Sequence, residues 1–275
     1  MSAPTEVDET PVNPGASDAR GAWGWPQARE VRLSAVRWAL LSFWYELGNF
    51  KEAPARHDPV GGSLRYLLLT FLSLAQGLAK LTMAGALSYP VRLHRSRWSL
   101  LDDAIECAEL SVPKGVWIEC GVASGASINY IAQRTGMEVW GFDSFEGLPK
   151  DWVIFLPRGS FGTHGKPPAV EPNVRLVKGW FEDTLPPFSA RFEGQRIALL
   201  HIDSDLYESA RAVLSLLAAG IGKGTVIVFD EFCSALPDDE MRAFREVARL
   251  RGWRSRYLGC AARATGSLPV SIQIL

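Results

Sequence analysis

An apolar run that ends in an acid and continues into glycines is the first group of residues able to do chemistry. The run is Trp117-Ile-Glu-Cys-Gly-Val-Ala-Ser-Gly-Ala-Ser127, which predicts a strand, a glycine-rich turn and the start of a helix. Glycine is needed where a ligand approaches the backbone too closely for a Cβ atom. A second apolar run ends at Asp143, 24 residues after Glu119, the spacing of a carboxylate that binds ribose hydroxyls in a βαβ unit. The pattern predicts a nucleotide-type ligand site at the head of a parallel sheet.

The glycine spacing and the preceding acid narrow the choice of ligand. The turn Gly121-Val-Ala-Ser-Gly125 has the spacing GxxxG, not the GxGxxG fingerprint that binds a pyrophosphate. A carboxylate at Glu119 would repel phosphates, whereas it can accept hydrogen bonds from an amino group. The residues favour a ligand with a cationic amino-acid end and a ribose, and S-adenosylmethionine has both. Close packing of a strand on a helix is the alternative explanation for the glycines.

Acids also follow two later apolar runs. These runs are Ile197-Ala-Leu-Leu-His-Ile-Asp203 and Gly224-Thr-Val-Ile-Val-Phe-Asp-Glu231. Because ligands sit beyond the carboxyl ends of parallel strands, we expect Asp203, Asp230 and Glu231 to lie close together there. Carboxylates that close repel unless one is protonated or a cation lies between them. Hard oxygen ligands select Mg²⁺, Ca²⁺ or Mn²⁺ rather than zinc, so the acids predict a cation site that could orient and acidify an acceptor hydroxyl.

Strand and helix patterns alternate from Lys114 onward. Apolar runs predict strands at 115–120, 138–143, 174–179, 196–203, 224–230, 253–259 and 268–274, and helical patterns fit 126–135, 206–220 and 238–251. Near-continuous apolar strands between helices indicate an α/β fold, a Rossmann-like doubly wound, mostly parallel seven-stranded sheet. Only a turn separates the last two strands, which predicts an antiparallel C-terminal hairpin. We expect Ser204 or Asp205 to cap the helix at 206–220.

The chain before this domain divides into two parts. Residues 1–28 are polar, with proline and glycine, and predict a disordered tail. Residues 29–98 predict a helical region, with N-terminal helices at 30–50 and 64–87. The second is long enough to span a membrane, although Gln76 and Lys80 fall inside it. A substrate wall, a homo-oligomer interface, a peripheral membrane contact and a true span stay open, and residues 99–275 predict the cofactor-binding domain.

Composition restricts the class of partner and the compartment. A formal net charge of −1 argues against a nucleic-acid partner. The four cysteines are scattered without a CxxC pair, which favours buried thiols in a reducing compartment over a zinc site or a disulfide framework. The N-terminal residues show no signal peptide. These features predict a cytoplasmic protein, with membrane association left open.

Five segments, in order, resemble the macrocin O-methyltransferase (TylF/MycF-like) group of class I S-adenosylmethionine-dependent methyltransferases. They are Trp117-Ile-Glu-Cys-Gly-Val, Gly141-Phe-Asp-Ser-Phe-Glu-Gly-Leu-Pro149, Lys178-Gly-Trp-Phe-Glu-Asp-Thr-Leu-Pro186, His201-Ile-Asp-Ser-Asp-Leu-Tyr-Glu-Ser209 and Val228-Phe-Asp-Glu231. The resemblance covers about residues 100–275. It implies an O-methyltransferase that uses S-adenosylmethionine and Mg²⁺ on a sugar hydroxyl of a glycosylated natural product or polysaccharide.

The resemblance also implies a role for each matching residue. Residues at the methionine end of the cofactor would be Glu119, Gly121, Ser124 and Ser127; at the ribose, Asp143 with Ser144 and Phe145 beside it; at the adenine, Trp180, Phe181 and Asp183; and at the metal, Asp203, Asp230 and Glu231. The family often has two aspartates where this chain has Asp230 and Glu231. The longer glutamate arm moves its oxygens relative to those of an aspartate.

Two histidines are candidates for a general base beside Asp203. His201 lies two residues before Asp203, on the same face of the strand, and His164 lies in a loop at 155–172 that could cover a substrate. The pKa of histidine suits removal of a proton from a hydroxyl. A structural hydrogen-bonding role for either ring, and a mechanism without a dedicated base, are the alternatives.

Two other classes of function are also open from the residues. One is a dinucleotide-dependent oxidoreductase, which the acid at Glu119 and the missing GxGxxG disfavour. The other is a non-catalytic interaction module that keeps the cofactor fold and docks through its N-terminal helices.

Overall fold

A mixed sheet flanked by helices forms the centre of the protein in the computed structural model, which describes residues 91–152, 156–234, 239–261 and 267–275. The strands are β1 (Arg92–His94), β2 (Val116–Cys120), β3 (Val139–Asp143), β4 (Val174–Lys178), β5 (Ile197–Ile202), β6 (Val226–Ser234), β7 (Ser255–Ala261) and β8 (Ser267–Ile274). The helices are α1 (Arg97–Ser111), α2 (Ala126–Thr135), α3 (Phe181–Arg191), α4 (Tyr207–Leu216) and α5 (Asp239–Arg251).

The strand order is β1-β7-β8-β6-β5-β2-β3-β4. Strand β8 pairs antiparallel with both β6 and β7, and the other neighbours pair parallel. The predicted fold class is therefore confirmed, including the antiparallel C-terminal hairpin. In addition to the seven predicted strands, the short strand β1 pairs with β7 at the sheet edge. It lies upstream of residue 99, where the sequence pattern placed the start of the domain.

Helices cover both faces of the sheet, as a doubly wound fold requires. On one face, α1 and α2 pack through residues such as Leu100, Ile105 and Ile128. On the other face, α3, α4 and α5 pack through residues such as Phe188 and Phe244. Strands β2 and β5 are buried along their whole length, as expected of central parallel strands covered on both sides.

The structure adds two helices and corrects one cap. Helix α1 starts with a capping box between Ser96 and Ser99, a start signal that lies just outside the predicted domain. Helix α3 contains Pro186 and Pro187, and interior prolines normally argue against a helix. The cap predicted at Ser204 or Asp205 is wrong: Leu206 is the cap residue of α4 and no side chain caps it. The cap therefore lies one residue after Asp205, and the loop that follows β5 is longer than predicted.

The predictions for the N-terminal 90 residues lie outside the described residues. These are the tail at 1–28 and the helices at 30–50 and 64–87. Within the part of the chain that the structure describes, no helix is both long and apolar enough to cross a membrane. The oligomer and membrane predictions therefore stay predictions.

Candidate active site

Neighbouring strands end together at the carboxyl edge of the sheet. Hydrogen bonds continue past the strand ends: the amide of Gly121 donates to Phe142, that of Asp203 to Cys120 and that of Gly179 to Asp143, each at 2.9 Å. Strands β5 and β6 pair through Ile202 and Phe229, so the next residues, Asp203 and Asp230, are neighbours. The register of the sheet thus brings the two predicted groups of acids to one edge.

A crevice of about 760 Å³ opens along this edge, within the size range of small-molecule sites. Its walls include most of the predicted site residues, namely Gly121, Ser124, Ser127, Asp143, Ser144, Trp180, Phe181, Asp203, Asp230 and Glu231. Five others lie outside the lining: Glu119, Phe145, His164, Asp183 and His201. The predicted cofactor end and the predicted cation end therefore share one crevice.

The carboxylate of Asp143 organises the backbone at the cofactor end. Its Oδ2 accepts hydrogen bonds from the amides of Val122 and Ala123, each at 2.8 Å, and its Oδ1 accepts from the amide of Phe145 at 2.7 Å. Charge-assisted bonds of this length are strong ones. A carboxylate can accept about four hydrogen bonds, so one acceptor position remains for a ligand. Asp143 shapes the glycine turn as well as facing the crevice.

Gly121 joins the cofactor end to the cation end. Its φ is +94°, a left-handed conformation that favours glycine, and a Cβ atom there would overlap the backbone carbonyl oxygen of Asp203. The turn after β2 therefore touches the loop after β5 with no room for a methyl group.

Glu119 lies beneath the glycine turn rather than at the crevice surface. Its side chain is fully buried; Oε1 accepts from the hydroxyl of Ser127 at 3.1 Å, and Oε2 lies 2.9 Å from Nδ1 of His201. Ser127, in the first turn of α2, does line the crevice. The acid and the histidine thus form a buried pair below the cofactor end, and the His201 ring does not face the crevice.

Aromatic side chains stand at the rim of the cofactor end. Trp180, the cap residue of α3, is 40% exposed, and Phe181 follows it into the crevice wall. Phe161 comes from the loop after β3, is 55% exposed and also lines the crevice. Asp183 is exposed in the first turn of α3, outside the lining. Flat faces at this position suit a ligand with a planar ring.

The loop after β3 is held by backbone hydrogen bonds. The amides of Thr163 and Gly165 both donate to the carbonyl of Phe145, at 3.0 and 2.9 Å. Phe145 itself is buried in the core, so its ring packs away from the crevice. His164 is exposed on this loop with a φ of +55° and lies outside the lining. As placed, the imidazole of His164 does not face the acids.

Asp203 and Asp230 lie near each other at the other end of the crevice. Burial, and then the nearby charge of Asp230, raise the pKa of Asp203 well above its usual range. The guanidinium of Arg97 lies above the ring of Trp98, and its Nη1 is 3.4 Å from Oδ2 of Asp230. Among the residues that the structure describes, no three histidine, cysteine or acidic side chains are gathered closely enough to hold a metal ion. An arginine, and not a metal ligand set, is what the structure places beside Asp230.

The donor chemistry at this end nevertheless suits a hard cation. The candidate ligand atoms are carboxylate oxygens, which Mg²⁺ prefers. The hydroxyl of Ser204 is also buried in the crevice wall and makes no hydrogen bond to any residue in the described ranges. A buried hydroxyl without a partner is unusual, and a ligand or its bound water would satisfy it.

The family comparison matches residues 160–252 to the family described as Macrocin-O-methyltransferase (TylF). The matched stretch runs from the loop that carries Phe161 through the acids at Asp203, Asp230 and Glu231 to the end of α5. The resemblance to the macrocin O-methyltransferases is confirmed. The match is to a methyltransferase family and not to an oxidoreductase family.

Curated relatives that are named O-methyltransferases match this chain over part of their length. It is 27% identical over 175 residues to the 8-demethyl-8-(2,3-dimethoxy-alpha-L-rhamnosyl)-tetracenomycin-C 4'-O-methyltransferase of Streptomyces olivaceus, which covers 53% of this chain and 64% of that protein. It is 28% identical over 158 residues to the mycinamicin III 3''-O-methyltransferase of Micromonospora griseorubida. That match covers 48% of this chain and 58% of the relative. The chain thus spans less than two thirds of the length of these relatives.

A solved structure supports the fold. The crystal structure of the calicheamicin methyltransferase CalS11 superposes with a TM-score of 0.52 at 24% identity, covering 79% of this chain and 94% of that chain. The likeness shows that the two chains share an α/β fold.

Some crevice residues were not found from the sequence pattern. Arg97 enters from the start of α1, and Lys150 and Glu208 form an ion pair of 2.8 Å at the rim. Glu240, in the first turn of α5, is outside the crevice lining and fully buried behind the acids. Arg97, Lys150 and Glu240 lie outside the five quoted segments, and Glu208 lies inside one of them without an assigned role. The capping box at Ser96 was the one local signal, since it sets where α1 starts.

Proposed function

We propose that this chain is an S-adenosylmethionine-dependent O-methyltransferase that acts on a hydroxyl of a sugar or glycosylated natural product. The observation that carries the proposal is the shared crevice, with the glycine turn and Asp143 at one end and Asp203, Asp230 and Glu231 at the other. The family match over residues 160–252 supports the reaction type. The names of two relatives, which state methylation at a 4' and a 3'' oxygen, support the acceptor class.

The chain's own residues would hold the methyl donor at the end of the crevice nearest β2 and β3. Backbone amides fixed by Asp143 shape the turn, Ser127 lies at the N-terminus of α2, and Trp180 offers a flat face for the base. When bound, S-adenosylmethionine supplies a methyl group already attached to a cationic sulfur. The residues then need only to orient donor and acceptor and to exclude water.

At the other end, we propose that Asp203, Asp230 and Glu231 hold Mg²⁺. The support is the set of hard oxygen atoms, the burial and the nearby charge of Asp230 that raise the pKa of Asp203, and the hydroxyl of Ser204, which has no hydrogen-bond partner among the described residues. When bound, Mg²⁺ would polarise the acceptor hydroxyl and lower its pKa. For these side chains to surround the ion they must close on it, and the guanidinium of Arg97 must leave Asp230.

The proposal is tested by methyl transfer from labelled S-adenosylmethionine to a panel of acceptors. The panel contains rhamnosylated and other glycosylated polyketides, their aglycones, and a set of free sugars, each with Mg²⁺ and with a chelator. We expect label to enter the glycosylated acceptors only, and more when Mg²⁺ is present. Full activity with a chelator would remove the metal from the reaction. Tight binding of S-adenosylhomocysteine without transfer to any acceptor would favour the interaction module.

Replacing Arg97 with glutamine is expected to tighten Mg²⁺ binding about two- to fivefold, because the arginine competes for Asp230 as a resident cation. This factor corresponds to a partly exposed ion pair worth about 0.5–1 kcal/mol. Titration with Mg²⁺ by calorimetry measures the change. Arg134→Gln is the control, since that arginine pairs with Asp102 away from the crevice. Weaker Mg²⁺ binding in Arg97→Gln would contradict the competition.

A further inference from the structure

The buried acid of helix α5 links the two segments that carry the proposed cation ligands, the loop after β5 and the later part of β6. Glu240 lies in the first turn of α5, and its side chain is fully buried. Its Oε1 accepts a hydrogen bond from the amide of Ser204 at 3.3 Å, and its Oε2 accepts one from the amide of Glu231 at 3.0 Å. Ser204 directly follows Asp203, and Glu231 directly follows Asp230. One carboxylate therefore bridges the loop after β5 and the irregular stretch of β6 between Phe229 and Cys233.

We propose that Glu240 is a positioning residue that sets the spacing between Asp203, which follows β5, and Asp230 with Glu231, which lie in β6. The inference rests on the proposed cation site. Glu240 is not in the crevice lining, so it acts through the backbone of its neighbours and does not touch the ion.

The local chemistry explains why such a bridge is needed. The carboxylates of Asp203 and Asp230 repel one another, and the described pairing of β5 with β6 stops at Ile202 and Phe229, one residue before each acid. A group that accepts hydrogen bonds from both segments counteracts this repulsion by fixing their backbones. Residues that orient metal ligands from behind are a general feature of metal sites.

The position of Glu240 is a poor choice for stability alone. An acid is costly to bury, and the neighbouring charge of Asp205 adds to that cost. A buried apolar residue would avoid that cost. An acid at this position accepts hydrogen bonds from two backbone amides, which no apolar side chain can do.

The test uses Glu240→Gln and Glu240→Asp in the full chain. Glutamine keeps the length but presents an NH₂ group to one of the two amides, and aspartate keeps the charge but is too short to reach both amides. Mn²⁺ is the probe, followed by electron paramagnetic resonance, and S-adenosylhomocysteine binding is measured by calorimetry. The matched control is Glu246→Gln on the same helix, where the acid pairs with Arg211 and Tyr207 on the surface.

We expect both Glu240 variants to bind Mn²⁺ about 10- to 100-fold more weakly, with S-adenosylhomocysteine affinity within about twofold of the parent chain. A purely structural role would lower both affinities together, and would overturn the inference. So would unchanged Mn²⁺ affinity in either variant, because the bridge needs both length and acceptor character. If the parent chain itself binds no Mn²⁺, the cation part of the proposed function fails and the inference fails with it; loss in Glu246→Gln would also count against it.

Discussion

Asp143→Ala is expected to reduce the affinity for S-adenosylhomocysteine at least about 100-fold. Three backbone amides lose their acceptor, and a hydrogen bond to a charged group contributes about 1.5–3 kcal/mol. If the disordered glycine turn costs about 3 kcal/mol of binding free energy, the affinity for S-adenosylhomocysteine falls by a factor of about 100. The fold should survive, because the lost bonds lie in loops beyond the ends of β2 and β3. Isothermal calorimetry with S-adenosylhomocysteine measures the affinity, and circular dichroism checks the fold.

The same strand supplies a matched control for Asp143. Glu138 directly precedes β3 at the opposite edge of the sheet and pairs with Arg175 on the surface. Glu138→Ala should leave the affinity unchanged. Parent-like affinity in Asp143→Ala would show that this carboxylate neither shapes the turn nor contacts the ligand.

Asp203→Asn is expected to lower kcat about 100-fold or more while S-adenosylhomocysteine affinity stays within about twofold. The variant keeps the shape of the side chain but removes a charge that the proposed cation requires and that could accept a proton. Rates with labelled methyl donor, at several Mg²⁺ concentrations, separate weaker metal binding from slower transfer. Asp102→Asn, an exposed acid on α1, is the control.

The stability of Asp203→Asn provides an independent check. Because burial and Asp230 raise the pKa of Asp203, its protonated form is favoured in the folded state. The ionised carboxylate therefore destabilises the fold once the pH rises through that raised pKa. The melting temperature of the variant at alkaline pH should equal or exceed that of the parent chain. A clear drop would mean that Asp203 is stabilised by partners that asparagine cannot satisfy.

The central strands could be predicted because strands that are buried on both faces consist almost entirely of apolar residues. A run such as Ile197–Ile202 is apolar throughout, and only a strand covered on both faces needs that pattern. Strand β1 could not be found this way, since three residues that include Arg92 and His94 carry no period. Helix α3 was not predicted because it contains Pro186 and Pro187. Its buried residues Leu185 and Phe188 pack against the rest of the protein and stabilise the helix in spite of the prolines.

For the site, the positions of the acids could be predicted from the local sequence, but their contacts could not. Acids at strand ends, such as Asp143 and Asp203, follow from the rule that parallel strands end together. What each acid contacts does not follow, because it depends on residues far away in the chain. Glu119 on β2 contacts His201 on the neighbouring strand β5, and Glu240 on α5 contacts the backbone of Ser204, 36 residues earlier in the chain. Only packing, and not spacing, brings such partners together.

The contact between Gly121 and the carbonyl of Asp203 has a thermodynamic consequence. Because the two loops have no room to approach each other further, a ligand that pushed one toward the other would have to move both. Under the proposed function, a donor that moves the turn after β2 would therefore also move the loop that carries Asp203. By linkage, the factor by which the donor altered cation affinity would then equal the factor by which the cation altered donor affinity.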